Sequence, residues 1–169
     1  MPQTSAYTST RQIPALFKLN VLKGINFDFG GGRYDDGTNY LKEQGVTNLV
    51  FDPYCREQLS NAKSMLLLDD GVDSITCLNV LNVIKDDAER QAVIRQVAGL
   101  ANYTRNRNLI FPTVYFQIYE GDRSGIPHPT NSQLNRKTKD YLTEIEDAFD
   151  GYSIEIMGSK KNIIKISNK

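Results

Sequence analysis

This sequence predicts an α/β fold: a mostly parallel sheet with helices on both faces and an antiparallel hairpin at the C-terminal end. Three observations predict it. Short apolar runs such as Ile25–Phe29 and Ser74–Leu78 alternate with segments of helical periodicity, the pattern of strands joined by helical crossovers. The first of these runs leads straight into Gly30-Gly31-Gly32, a turn that opens a helix. Finally, residues 151–157 and 162–167 alternate apolar and polar positions around Gly158-Ser159, which reads as a closing hairpin. A tight turn can join only antiparallel strands.

The elements follow in order. Residues 1–12 are polar and are expected to form a flexible N-terminal segment, leaving 13–169 as one domain. A first helix is expected over 13–22, with Pro14 in its opening turn, an apolar stripe of Ile13, Leu16, Phe17 and Val21, and Gly24 as its stop. After the glycines a short helix ends at Gly45, and residues 48–51 form strand two. Residues 56–68 are ambiguous: Leu59, Ala62, Met65 and Leu66 suit a helix, whereas 65–68 alone suit a short strand. Asp86 and Glu89 have capping-box spacing before a helix striped by Ile94, Val97, Ala98 and Ala101. A strand over 113–119 has Pro112 at its edge. A last helix over 136–149 buries Tyr141, Leu142, Ile145 and Phe149.

Composition excludes several classes of function. Twenty basic and twenty acidic residues cancel over the 169-residue chain, so no net field draws it onto nucleic acid or an anionic membrane. Lys18, Lys23 and the C-terminal lysines are solvated surface on this reading. Cys55 and Cys77 form neither a C-x-x-C pair nor a cluster with His128, which argues against a disulfide framework or a zinc site. No signal peptide or membrane-length apolar run is evident, so a cytoplasmic protein is expected.

The chemistry is concentrated near the first two strands. Glycines after strand one let a ligand approach the backbone, and Asp52, about 20 residues on, stands at the tip of strand two, where one carboxylate can accept from both hydroxyls of a ribose. An adenosine-containing ligand follows. A nicotinamide dinucleotide is disfavoured, because G-x-G-x-x-G needs glycine where Asp35 stands, and that acid would oppose a pyrophosphate.

Asp28-Phe29-Gly30-Gly31-Gly32, Phe51-Asp52-Pro53 and the run from Ser74 to Ile84, with its Asn79-Val80-Leu81-Asn82-Val83-Ile84 signature, together resemble the class I S-adenosylmethionine-dependent methyltransferases. Within them the chain is similar to short bacterial and bacteriophage methyltransferase-like proteins. The resemblance implies a Rossmann-like methyltransferase sheet, with S-adenosylmethionine as cofactor; this chain departs from it in the short region between strand two and the strand over 74–78, where loss of the family's third strand is expected. It implies that Gly30, Gly31 and Gly32 pass under the methionine moiety, that Asp28 fixes the turn or meets the amino group through water, and that Asp52 holds the ribose. Pro53 and Tyr54 would lie by the adenine, Leu78 and Asn79 at the methionine end, and Arg11 at the cofactor's carboxylate. Asp69 and Asp70 stand either as the acid for the adenine amine or as plain turn residues.

Tyr119 and Glu120 are the substrate-side candidates, since ligands in open α/β sheets bind beyond the carboxyl ends of strands. His128, between two prolines, is a weaker candidate for a base. Methyl transfer needs alignment and exclusion of water more than a dedicated nucleophile, so the sequence names no catalytic residue and no metal ligand. The absence of an N-P-P-Y or D-P-P-Y tetrapeptide disfavours a DNA base amine as acceptor. The acceptor, a small molecule, nucleotide or protein, stays open, as does a protein partner or homo-oligomer. Two other functions compete: a non-catalytic cofactor-binding phage factor that meets host machinery, and an enzyme that consumes the cofactor itself.

Overall fold

The computed structural model describes residues 9–169. Strands β1 (Ile25–Phe29), β2 (Thr47–Phe51), β3 (Ser74–Leu78), β4 (Thr113–Gln117), β5 (Ser153–Met157) and β6 (Ile163–Ser167) form one sheet in the order β2-β1-β3-β4-β6-β5. The first four run parallel, and β6 lies antiparallel to both β4 and β5. The expected hairpin is therefore present, with its last strand inserted beside β4 rather than at the sheet edge. Helices α1 (Asp36–Glu43), α2 (Gln58–Leu68), α3 (Asp87–Asn108) and α4 (Leu142–Ala148) connect the strands.

Two apolar clusters sandwich the sheet. On one face Phe27, Ile75, Val114 and Phe116 pack with Ile94, Val97 and Ala101 of α3 and Ile145 of α4. On the other, Leu78, Tyr115 and Ile163 pack with Leu41 of α1 and with Leu16 and Phe17. The α3 stripe is the one that the periodicity predicts, and the Asp86 side chain caps the helix by accepting from the Glu89 N–H at 2.8 Å.

Several expectations need correction. Residues 13–22 do not form a full helix. A single 3-10 segment, Ala15–Leu19, is closed by Asn20 in the left-handed region at φ 55°. It still buries Leu16 and Phe17, and its Leu16 N–H bonds the Gln117 side chain at 2.9 Å, a partner that a longer α-helix would have displaced. The helix expected over 136–149 is a 3-10 turn, Thr138–Tyr141, running into α4. The strand expected over 113–119 ends at Gln117.

The ambiguous segment 56–68 is helical, but the apolar stripe faces outward: Leu59 and Leu66 are 81 % and 73 % exposed. Asn61 and Ser64 point inward instead. Asn61 accepts from the Asp52 N–H at 2.9 Å and donates to the Asp52 carbonyl at 3.0 Å, while Ser64 donates to the Val50 carbonyl at 2.6 Å. These are groups on the outer edge of β2, where a further strand would have paired. Helix α2 thus stands in for the third strand, and its polar face closes the edge.

Candidate functional site

Chain direction reverses across the sheet between β1 and β3. From β1 the chain crosses to β2 on one side, and from β2 it returns over β1 to β3 on the other. Ligand sites in open α/β sheets form at such a switch, beyond the carboxyl ends of the strands. A cavity of ≈110 Å³ lies there, lined by Asp28, Gly30, Gly31, Gly32, Leu78 and Asn79 among others. Six residues expected at a cofactor site from the sequence are thereby brought together.

Gly30 is required by space as well as by angle, and Gly31 by space. Gly30 has φ 74°, and a Cβ there would come within 2.7 Å of a Val80 methyl. A Cβ on Gly31 would meet the Asp28 carboxylate at 2.6 Å. That carboxylate ends a buried polar ladder across three strands. Asn26 donates to Asn48 at 2.8 Å and to the Thr76 hydroxyl at 2.9 Å, and the hydroxyl passes its own proton toward Asp28 at 2.8 Å. Burial raises the Asp28 carboxyl to about 6 against the opposing hydrogen bonds from Thr76 and Asn48.

Asp52 is only 1 % exposed and accepts from the Gly32 N–H at 2.9 Å through one oxygen and from the Tyr54 and Cys55 N–H groups at 3.0 Å through the other. It ties the glycine turn to the β2 turn. Pro53 and Tyr54 are exposed and are not among the residues lining the ≈110 Å³ cavity. Arg11 lies at the rim, 3.2 Å from Asp36 and with its guanidinium 4.4 Å from the Tyr34 ring centroid. Asp69 pairs with Tyr103 and Arg107 at the C-terminal end of α2, beside the start of β3. That is the opposite end of the sheet from the cavity, so Asp69 and Asp70 are not placed to meet an adenine.

Sequence reasoning missed Arg56, whose side chain clamps the glycine turn: Nε donates to the Gly32 carbonyl at 2.7 Å, Nη2 to the Tyr34 carbonyl at 3.0 Å, and Nη1 pairs with Asp35 at 2.7 Å. Nothing local to Arg56 signals this, because its partners lie more than 20 residues away. Gln117 was read only as part of a strand, yet it bonds both Leu16 and Asn79.

On the substrate side Tyr119 is 61 % exposed and lines two further cavities that meet the first at Asn79. Glu120 turns away from them. Burial pushes its carboxyl up, but the Thr138 N–H at 2.7 Å and Arg123 at 2.6 Å outweigh that and leave it below the usual range. His128 accepts at Nδ1 from the Thr130 and Asn131 N–H groups, each at 3.3 Å, so its neutral ring carries the proton on Nε2. Asn79 itself has φ 58°, in the left-handed region that asparagine tolerates better than most side chains.

Solved structures resemble this fold. The sugar N-methyltransferase KedS8 from a Streptoalloteichus species superposes with a TM-score of 0.52 at 10% identity, covering 86% of this chain and 80% of its own. DesVI from Streptomyces venezuelae gives the same TM-score, also at 10% identity, with 86% and 84% covered. The fold is that of the class I methyltransferases. No family model and no curated protein matches the chain. In this chain α2 lies along the outer edge of β2, and a cavity opens at the switch point.

Proposed function

We propose that this protein is an S-adenosylmethionine-dependent methyltransferase. The observation that carries the reading is the convergence of Asp28, the three glycines, Leu78 and Asn79 on one switch-point cavity. The residues suit the cofactor chemically: the buried Asp28 carboxyl would complement its ammonium group, and a wall without side chains would admit its methionine backbone. In this role Asp28 holds the amino group directly or through water. The glycine turn, clamped by Arg56 and Asp52, supports the methionine moiety, and Asn79 stands between it and the acceptor side.

When bound, the cofactor would supply an electrophilic sulfonium methyl to the acceptor's lone pair, with a neutral thioether as leaving group and the acceptor's proton lost to solvent. The chain's own task is alignment and exclusion of water. Residues Ser9, Thr10, Gln12 and Pro14 already line the cavity mouth and serve the second purpose.

Calorimetry with S-adenosylmethionine and SAH, followed by incubation of methyl-labelled cofactor with candidate acceptors, tests the reading. Saturable binding and label transferred to an acceptor are expected. Failure to bind either compound overturns the reading, and breakdown of the cofactor without any acceptor replaces transfer with consumption.

A further inference from the structure

Beyond Asn79 the site divides into two cavities, of ≈390 and ≈630 Å³, both in the size range of small-molecule sites. Thr10, Gln12, Asn79 and Tyr119 line both, so the two lie side by side, next to the glycine cavity that Thr10, Gln12 and Asn79 also line.

Their ionisable groups differ in sign. The smaller cavity is lined by Lys18, from the Ala15–Leu19 turn, and by Lys160, from the turn between β5 and β6, with no Asp or Glu. The larger is lined by Asp122 and His128, with no Lys or Arg. Hydrogen bonding from Ser124 holds the Asp122 carboxyl below the usual range, so it is charged at neutral pH. His128 accepts at Nδ1 from two main-chain N–H groups, which only its neutral ring can do. One cavity is therefore cationic and its neighbour anionic, although the chain as a whole carries no net charge.

The lysines are also the uncommitted groups of the smaller cavity. Neither forms an ion pair among the described residues. The carboxamides beside them are already in use. Gln117 accepts from the Leu16 N–H at 2.9 Å, which sets its sense, and its NH₂ donates to Asn79 at 3.3 Å. Asn162 donates to the Ile118 carbonyl at 3.1 Å. A cleft lined by one sign of charge raises the local concentration of the opposite ion.

We infer, resting on the methyltransferase reading above, that the smaller cavity binds an anionic group of the methyl acceptor, a carboxylate or a phosphate, and that the acceptor is an anionic small molecule. Lys18 and Lys160 hold the anion, and Asp122 repels it from the neighbouring cavity. Tyr119, exposed where the two cavities meet, packs on the body of the acceptor, whose nucleophile reaches back past Asn79 to the glycine cavity. Charge thus sets which way round the acceptor enters. A lysine ammonium suits either anion, being a point charge on a flexible stem rather than a planar fork.

Titration of the full chain with phenyl phosphate, benzoate and the uncharged benzamide, at saturating SAH and followed by ¹H–¹⁵N spectra, tests this. At least one of the two anions is expected to shift the Ser159 and Lys160 amides, with little change at Asp122 and His128, and the tighter of the two identifies the anion. Benzamide should bind at least tenfold more weakly. Both lysines are exposed, so Lys18→Gln/Lys160→Gln is expected to fold; it should bind the anion about tenfold more weakly and SAH as the wild type does. If that variant does not fold, the anions against benzamide on the wild type decide alone. The inference is overturned if neither anion shifts those amides, if benzamide binds as tightly, if the anion shifts Asp122 and His128 equally, or if the folded variant keeps the anion affinity. SAH affinity that falls with the two lysines also overturns it, by placing the cofactor's own carboxylate between them. SAH binding is read separately at the Gly32 amide. SAH binding without anion binding removes only the acceptor assignment, whereas a wild type that binds no SAH removes the methyltransferase reading and the acceptor assignment with it.

Discussion

Asp28 carries two opposed demands. Burial favours its neutral form and holds it at about 6, whereas a bound cation favours the charged form. In the unfolded chain the same carboxyl titrates near 3.8. Between pH about 4 and 6 the unfolded chain therefore loses its proton first, and the stability contributed by this group falls as pH rises through that window. A shift of this size corresponds to about 3 kcal/mol. Asp28→Asn, which cannot ionise, is expected to be more stable than the wild type at pH 7 and to lose that advantage near pH 4, as read by urea denaturation. Binding has the opposite sign. Affinity for SAH, which keeps the ammonium group, should rise by up to about tenfold per pH unit from 5 to 6 and then level off. Asp28→Asn should bind with no such slope; a slope that persists would assign the titration elsewhere. Asp52 makes a different prediction. Asp52→Ala deprives the Gly32, Tyr54 and Cys55 N–H groups of their acceptor and should lower stability by about 2–3 kcal/mol, with faster hydrogen exchange at Gly32.

At the scale of elements, α2 is the unusual part. Its apolar side faces solvent, and its polar side covers a strand edge. The Asn61 carboxamide pairs with both the N–H and the carbonyl of Asp52, as a neighbouring strand's peptide would. Asn61→Ala leaves a buried N–H without a partner and is expected to cost about 1–3 kcal/mol in a urea titration. Ser64→Ala should cost less, because a carbonyl tolerates the loss of one partner better than an N–H does. Equal losses would mean that α2 is held by something other than this pairing. A buried brace joins α3 to α4 on the same face of the sheet as α2. Arg90, 1 % exposed, makes two bonds to Glu144 at 2.9 and 2.6 Å and one to the Ile84 carbonyl at 2.9 Å. Periodicity gave no hint of it, since Arg90 reads as a surface residue on a helix.

Across the whole molecule, the segment before the first 3-10 turn connects every part of the site. Thr10 and Gln12 line the glycine cavity and both cavities beyond Asn79, and Ser9 lies 3.6 Å from Cys55 across the glycine turn. At ≈110 Å³ the glycine cavity is smaller than the roughly 300 Å³ or more of usual ligand sites, so an adenosyl ligand has to push this segment outward before it closes again. The flexible N-terminal segment expected from the sequence covers residues 1–12, of which 1–8 lie outside the described residues. Hydrogen exchange with SAH should show increased protection at residues 10–12, and a chain beginning at Gln12 should bind more weakly. Protection that rises only at the glycine turn would make the segment a passive tail.

What the sequence alone determined is local. The bounds of β1 and β3, the Asp86 cap, the α3 stripe and the glycine turn each depend on residues a few positions apart, and periodicity and backbone freedom record them directly. The convergence of Asp28, the glycines and Asn79 was legible for the same reason, because strand ends at a switch point carry their ligands in order along the chain. Which face of α2 turns inward, the real partners of Asp52 and the sense of the Gln117 amide were decided by the tertiary structure. Gln117 and Leu16 are 101 residues apart, and no local pattern carries such a pairing. Burial then decides the outcome, because a polar group removed from water has to find whatever partner the fold brings within reach.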